Sequence, residues 1–295
     1  MVLPLLDAPA PEAKVVAVCI HGLGLGSWLF EPWLPTFHAA GISVRALTLP
    51  GHGADRSNVG MAELLDAVER VVTEAQAQSL PVAIVGHSIG GLLAQQVVSR
   101  RELHAAALVC PMPPGQIFSI PTPSSVKFLP ESLPRLLAGK PYRPSWAAYR
   151  ALGLNVADEV VARAFYERVT AWPNRLCRQL VRRPWVNASA VTTPVLVTIG
   201  AKDPMVPWQK GRLLGDLYEA VVWRYDDLSH SPTHEPGGFR MARDVAQFVV
   251  EPHRPQVIES EGYGPSEGIG VEQRRARRGE LMKKRSAYGQ KKAAR

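Results

Sequence analysis

With 295 residues, 46% of them hydrophobic and 20% charged, the chain can form one large domain or two small ones, and its balance excludes fibrous and wholly disordered classes. Its net charge of +8 is uneven: residues 253–295 hold eleven of the 34 Lys and Arg against five Glu, leaving 23 basic and 21 acidic residues elsewhere. The opening MVLPLLDAPAPEAK lacks a basic-then-apolar leader pattern, no later run has the apolar length of a membrane span, and the three scattered cysteines (Cys19, Cys110, Cys177) suggest neither a disulfide framework nor zinc, so the expectation is a cytoplasmic chain.

Four apolar runs open the chain. KVVAVCIHG (14–22), GISVRALTLPGHG (41–53), PVAIVGHS (81–88) and HAAALVCPMPP (104–114) each end in Gly or Pro punctuation and read as strands. They are apolar throughout rather than alternating, which is the pattern of parallel strands covered on both faces. Between the second and third, MAELLDAVERVVTEAQAQ (61–78) sets Leu64, Leu65, Val68, Val71 and Val72 at helical spacing. Strand, helix and strand in succession predict an α/β, doubly wound, mostly parallel sheet.

The alternation stops at about Gly115. From there to Ser189 the chain is rich in Pro, Trp and Arg, with short helical stretches such as DEVVARAFYERVTAW (158–172), and is expected to form a helical cap inserted over one end of the sheet. Strands resume with TPVLVTIGAKD (193–203) and AVVWRYDDLSH (220–230), and the amphipathic GGFRMARDVAQFVV (237–250) closes the body. The expected organisation is therefore a core from residues 1–114 and 190–252, a cap from 115–189, and a tail from 253–295. The tail is Pro, Gly, Ser and Glu-rich and then dense in charge, with too few large apolar residues to offset the entropy of ordering, so it is expected to be disordered.

The chemistry centres on Gly86-His87-Ser88-Ile89-Gly90. This GxSxG follows a predicted strand and precedes a predicted helix, the context in which the pattern describes a strained turn that lifts a serine hydroxyl clear of a sheet. The plain alternative for the pattern is a helix N-cap serine beside flexible glycines. A serine hydroxyl needs a base to take its proton and a third group to fix that base. Asp203 stands on the turn beyond one later strand and His230 beyond the next, and strand C-terminal ends are where crevices of open α/β sheets lie.

Together these features resemble the α/β-hydrolase superfamily in its esterase and lipase-like branch. The resemblance spans roughly residues 14–250 and rests on His21-Gly22, Pro50 to Gly53, Gly86 to Gly91, the post-strand Asp203 and the H-x4-E-P run of His230, Glu235 and Pro236, in that order. It implies Ser88 as nucleophile, His230 as general base and then acid, Asp203 as orienting carboxylate, and the backbone N–H groups of Leu23 and Ile89 as an oxyanion hole. The sequence departs from the family at Ser229, where a Gly is usual before the histidine, and at a second histidine, His234, which is expected to be a cap or binding residue. Trp146, Trp172 and Trp185 are candidates to line an acyl pocket under the cap, with packing of cap on core as the plain alternative. His21, His52 and His87 are expected to hydrogen-bond loops together, Asp55 to cap a loop, and Asp226 and Asp227 to be solvated.

The expected reaction is hydrolysis of a carboxylic ester or thioester through an acyl-Ser88 intermediate, with no metal or organic cofactor. A lactone or a carbon–carbon bond beside a ketone would suit the same three side chains. The cap arginines would attract an anionic substrate unless they form a solvated face. From a different class, the chain would be a non-catalytic scaffold whose basic tail contacts nucleic acid or an anionic membrane surface.

Overall fold

The computed structural model describes residues 5–119 and 121–252. Seven strands form one sheet: β1 (Leu5–Ala8), β2 (Val15–Ile20), β3 (Ile42–Leu47), β4 (Val82–His87), β5 (Ala105–Val109), β6 (Val195–Gly200) and β7 (Val221–Tyr225). Their spatial order is β1-β3-β2-β4-β5-β6-β7, and every pairing is parallel except that of β1 with β3. The expected mostly parallel sheet is thus present. The antiparallel β1 is a finding the sequence did not announce: LLDA is only four residues long and its side chains are mostly half-buried, so it carries neither a long apolar run nor a clear alternation.

Ten α-helices are described. They are α1 (Leu34–Ala39), α2 (Met61–Gln76), α3 (Ile89–Val98), α4 (Pro123–Lys127), α5 (Leu129–Leu137), α6 (Trp146–Leu152), α7 (Glu159–Arg168), α8 (Asn174–Leu180), α9 (Trp208–Tyr218) and α10 (Gly238–Val250). Burial on both faces explains the uniform apolarity of the strands. In β2, Val16, Val18 and Ile20 point to the core shared with α2, α3 and α9, while Val15, Ala17 and Cys19 point to the core shared with α1 and α10. All five apolar residues predicted for the inner face of α2 are buried, each contributing roughly 1.5–3 kcal/mol relative to exposure. The helix starts at Gly60, whose N–H is accepted by the Glu63 carboxylate at 3.2 Å.

Strand β2 has β3 on one side and β4 on the other, so the chain reverses direction across the sheet at β2. Ligand crevices of open parallel sheets form at such a reversal, outside the strand C-terminal ends. The loops His21-Gly22-Leu23 after β2 and Ser88 after β4 lie at this place.

Helices α4 to α8 all fall between β5 and β6. Of these, α7 stops at Arg168, short of the stretch expected through Trp172, because Val169 turns extended. This region is tied to the loop after β2 by Thr170 N–H donating to the Gly24 carbonyl at 2.8 Å and by a two-pronged Arg168–Glu31 ion pair at 3.0 and 3.2 Å. No described helix is long and apolar enough to cross a membrane. The expectations for the basic stretch 253–295 lie outside the described residues.

Candidate active site

Ser88 follows β4 directly and caps α3 with φ 55° and ψ −119°, a backbone conformation that a residue with a side chain enters only under strain. The glycines around it are steric necessities. A Cβ on Gly90 would overlap the Ile20 carbonyl of β2, and one on Gly86 would overlap the Gly90 carbonyl. The turn is secured by Ser88 N–H donating to the Val109 carbonyl at 3.0 Å and by the Ser88 carbonyl accepting from Gly91 and Met112 N–H, both at 2.9 Å.

Asp203 lies on the turn after β6 and His230 on the loop after β7. These two loops are joined by Ala201 N–H donating to the Tyr225 carbonyl at 2.8 Å and Lys202 N–H to the Leu228 carbonyl at 3.0 Å. Gly200 permits the approach, since a Cβ there would overlap the carbonyls of Leu228 and Ser229. The result brings the three sequence-predicted side chains together: His230 Nδ1 is 2.8 Å from Asp203 Oδ2, and His230 Nε2 is 3.1 Å from Ser88 Oγ. All three are buried. The other Asp203 oxygen, Oδ1, accepts from Met205 and Val206 N–H at 2.8 and 2.9 Å, so the carboxylate is pinned and its proton-accepting edge faces the imidazole.

With Asp203 taking the Nδ1–H, the Nε2 lone pair of His230 is free to accept from the Ser88 hydroxyl. Burial opposes a charged imidazole, but the Asp203 carboxylate, its hydrogen bond and the charge of Glu235 outweigh that cost and raise the His230 pKa above its ordinary value. The imidazole thus takes up a proton at Nε2 more readily than burial alone would allow.

Ile89 opens α3, and the first N–H groups of a helix have no intrahelical partner. Leu23, on the loop after β2, lines a cavity that Ser88 also lines. That loop is braced by His21, whose Nδ1–H donates to the Gly22 carbonyl at 2.7 Å while its Nε2 accepts from Leu49 N–H at 2.9 Å. His52 bonds the Pro50 carbonyl at 3.0 Å, and Asp55 accepts from Gly51 and Ser57 N–H, so these residues hold loops as expected. Asp226 and Asp227 pair with Arg224 and Arg240 and take no part in the site.

A cavity of about 310 Å³ opens over Ser88 and His230. Its walls come from Leu23, Leu25 and Met112 in the core and from Phe128, Leu129, Leu136, Tyr142, Leu152, Trp172, Cys177 and Leu180 in the α4–α8 region. Among the described residues no Lys, Arg, Asp or Glu lines it. Trp172 is a wall residue, whereas the other tryptophans are not. Trp146 meets Tyr166 edge-on at 5.4 Å and lies under the Arg163 guanidinium at 3.8 Å, and Trp185 is 78% exposed. His234 is likewise absent from the walls; its ring meets Phe165 and Trp28 edge-on at 4.8 and 5.8 Å, and burial lowers its pKa to about 4, which makes it a packing residue between α7 and the core loops. The cap arginines do not reach the cavity either.

His87 joins two loops as expected, its Nε2 bonding the His230 carbonyl at 2.7 Å. One feature of the site escaped the sequence reading: Glu235 accepts from Ser229 and Ser231 N–H at 2.6 and 3.3 Å and from the Ser229 hydroxyl. The H-x4-E-P spacing was visible, but the partner of the glutamate was not. Among the described residues no cluster of His, Cys, Asp and Glu could hold a metal ion.

A model of the alpha/beta hydrolase family matches residues 17–242, and the chain belongs to that family. It is 26% identical over 253 residues to a monoacylglycerol lipase of Mycolicibacterium smegmatis, covering 82% of this chain and 90% of the relative. It is 28% identical over 240 residues to the pimeloyl-[acyl-carrier protein] methyl ester esterase of Klebsiella pneumoniae, covering 75% and 88%. A soluble variant of monoglyceride lipase from Saccharomyces cerevisiae shares its fold with a TM-score of 0.69 at 13% identity, over 86% of this chain and 92% of the other.

Proposed function

We propose that this alpha/beta hydrolase, a carboxylic ester hydrolase, cleaves neutral esters of an apolar acyl group through an acyl-Ser88 intermediate. The observation that carries the reading is the unbroken hydrogen-bond chain Ser88–His230–Asp203 at the floor of a cavity with no Lys, Arg, Asp or Glu among its described wall residues. Ser88 Oγ attacks the carbonyl carbon as its proton passes to His230 Nε2, and the carbonyl oxygen gains negative charge facing the N–H groups of Leu23 and Ile89. Collapse breaks the bond to the alkoxy oxygen, which leaves with the proton held by His230. Water then repeats the sequence on the acyl-enzyme, releasing the acid and restoring Ser88.

Burying a phosphate or carboxylate against these apolar walls would leave its charge unpaired, whereas an alkyl chain gains from the same burial. The two curated relatives, named as a lipase and a methyl ester esterase, support an ester over a carbon–carbon bond. In this reading residues 115–189 serve as the cap of a core made from 1–114 and 190–252, and supply most of the acyl pocket. The test is hydrolysis of a chain-length panel of chromogenic esters by the intact chain and by Ser88→Ala. Turnover of uncharged esters with an apolar chain-length optimum, abolished in the variant, is expected; undiminished turnover by Ser88→Ala would overturn the assignment.

A further inference from the structure

The loop carrying His230 is gripped from behind by a second carboxylate. Glu235 is buried, with 7% of its surface exposed, and its two oxygens accept three donors: Ser229 N–H and Ser229 Oγ–H on one side of His230, and Ser231 N–H on the other. Three donors converging on one carboxyl group match its ionised form, which only accepts. Ser229 occupies the position where the resemblance leads one to expect glycine, and its hydroxyl supplies a donor that glycine lacks.

We propose that Ser229 and Glu235 form a positioning pair for His230, fixing the loop that presents the imidazole and holding a buried negative charge behind it that sustains its protonated form during the reaction. This rests on the reading of Ser88, His230 and Asp203 as the reacting set. The pair acts through His230 and does not line the cavity.

The groups that face this loop have distinct parts. Asp203, from the turn after β6, bonds Nδ1 and orients the ring. His87, at the end of β4, has its ring 5.1 Å from that of His230; burial and the neighbouring histidine lower its pKa to about 3, so it stays neutral and donates Nε2–H to the His230 carbonyl. Cys110, after β5, points its thiol at the Ser229 carbonyl, and burial keeps that thiol protonated. Among these neighbours Asp203 and Glu235 are the anions. Burial raises the pKa of Glu235, and the Ser229 and Ser231 donors oppose that rise. Removing the Ser229 hydroxyl therefore weakens the hold on the charge, and Glu235→Gln removes the charge while keeping the shape.

The experiment is the pH dependence of kcat/KM toward a chromogenic ester of a short fatty acid, using the full chain, Glu235→Gln, Ser229→Ala, Glu235→Asp and Ser88→Ala. His230 must be neutral to accept a proton, so the acid limb of the profile follows its pKa. Loss of a nearby negative charge disfavours the imidazolium. The limb is expected to move to lower pH by about half a unit or more in Glu235→Gln, and by a smaller step in the same direction in Ser229→Ala. Plateau kcat is expected to fall several-fold while KM stays within about two-fold. Glu235→Asp, which keeps the charge, is expected to return the limb toward that of the unmodified chain.

A limb that stays in place in Glu235→Gln and Ser229→Ala, whether or not kcat falls, reduces the pair to loop packing and overturns the proposal. Should Glu235→Gln not fold, Ser229→Ala decides by the same two outcomes. Retained turnover in Ser88→Ala would instead overturn the underlying assignment of the reacting set, which separates the two failures.

Discussion

Asp203 and His230 are 27 residues apart in sequence and 2.8 Å apart between Oδ2 and Nδ1, with the remaining Asp203 oxygen taken by two backbone N–H groups. The carboxylate therefore has a single orientation in which to hold the imidazole. Asp203→Asn would keep the shape but offer an amide to Nδ1, reversing the tautomer that leaves Nε2 free. A fall in kcat of about three to four orders of magnitude is expected, with KM little changed, measured by steady-state hydrolysis of an uncharged ester. A loss smaller than about ten-fold would contradict the role assigned to Asp203.

The strain at Ser88 yields a prediction about stability. A non-Gly residue at φ 55° costs on the order of 1–3 kcal/mol, while glycine relieves that strain at an entropic cost of about 0.5–1 kcal/mol. Ser88→Gly is thus expected to abolish turnover yet stabilise the fold by roughly 1 kcal/mol in urea denaturation. A destabilised Ser88→Gly would show that the turn is not strained.

Buried histidines set the response to acid. Burial lowers the pKa of His21, His52, His87 and His234, with values of about 3 for His87 and about 4 for His234. Below pH 6.5 the unfolded chain binds protons at these positions that the folded chain refuses, so stability falls as pH falls. Each such histidine contributes a slope approaching 1.4 kcal/mol per pH unit between its folded and unfolded pKa. His230 has the opposite sign: its raised pKa gives stability that is present below pH 6.5 and lost as pH rises through the folded value. With four against one, the melting temperature is expected to drop between pH 6.5 and 4.5, and His87→Gln to flatten the drop. A melting temperature constant over that window would refute the account.

The cavity walls predict a specificity change. Ala148 is fully buried on α6 and lines the cavity, so Ala148→Leu fills part of the space otherwise open to the acyl chain. The optimum in a chain-length panel is expected to move to shorter esters, with short-chain kcat/KM nearly preserved and a stability cost of about 1–3 kcal/mol from overpacking. An unmoved optimum would place the acyl chain elsewhere.

Much of this was legible because the strands carry their own punctuation. Ser88 and Asp203 each follow a buried apolar run that ends in Gly, His230 follows the next strand, and a parallel sheet gathers such positions at one edge. What the sequence hid depends on side-chain direction across non-local contacts. Trp146 and His234 look as suitable for a pocket as Trp172 does, yet only Trp172 faces the cavity; the others turn toward Tyr166 and Phe165. The short β1 and the link from Ser229 to Glu235 were equally silent, the first through its length and the second because hydrogen-bond partners leave no periodic trace.

The order of the reacting side chains along the sheet has a consequence in time. Ser88 follows β4, near the middle, but the groups that activate it in the proposed mechanism hang from β6 and β7, the last two strands to leave the ribosome. On that mechanism a chain lacking those strands has a nucleophile without a base, so ester cleavage is expected to wait for the non-local pairings that add β6 and β7 to the sheet, the slow kind to form. Recovery of turnover after dilution from denaturant therefore times the docking of β6 and β7 and not the collapse of the core.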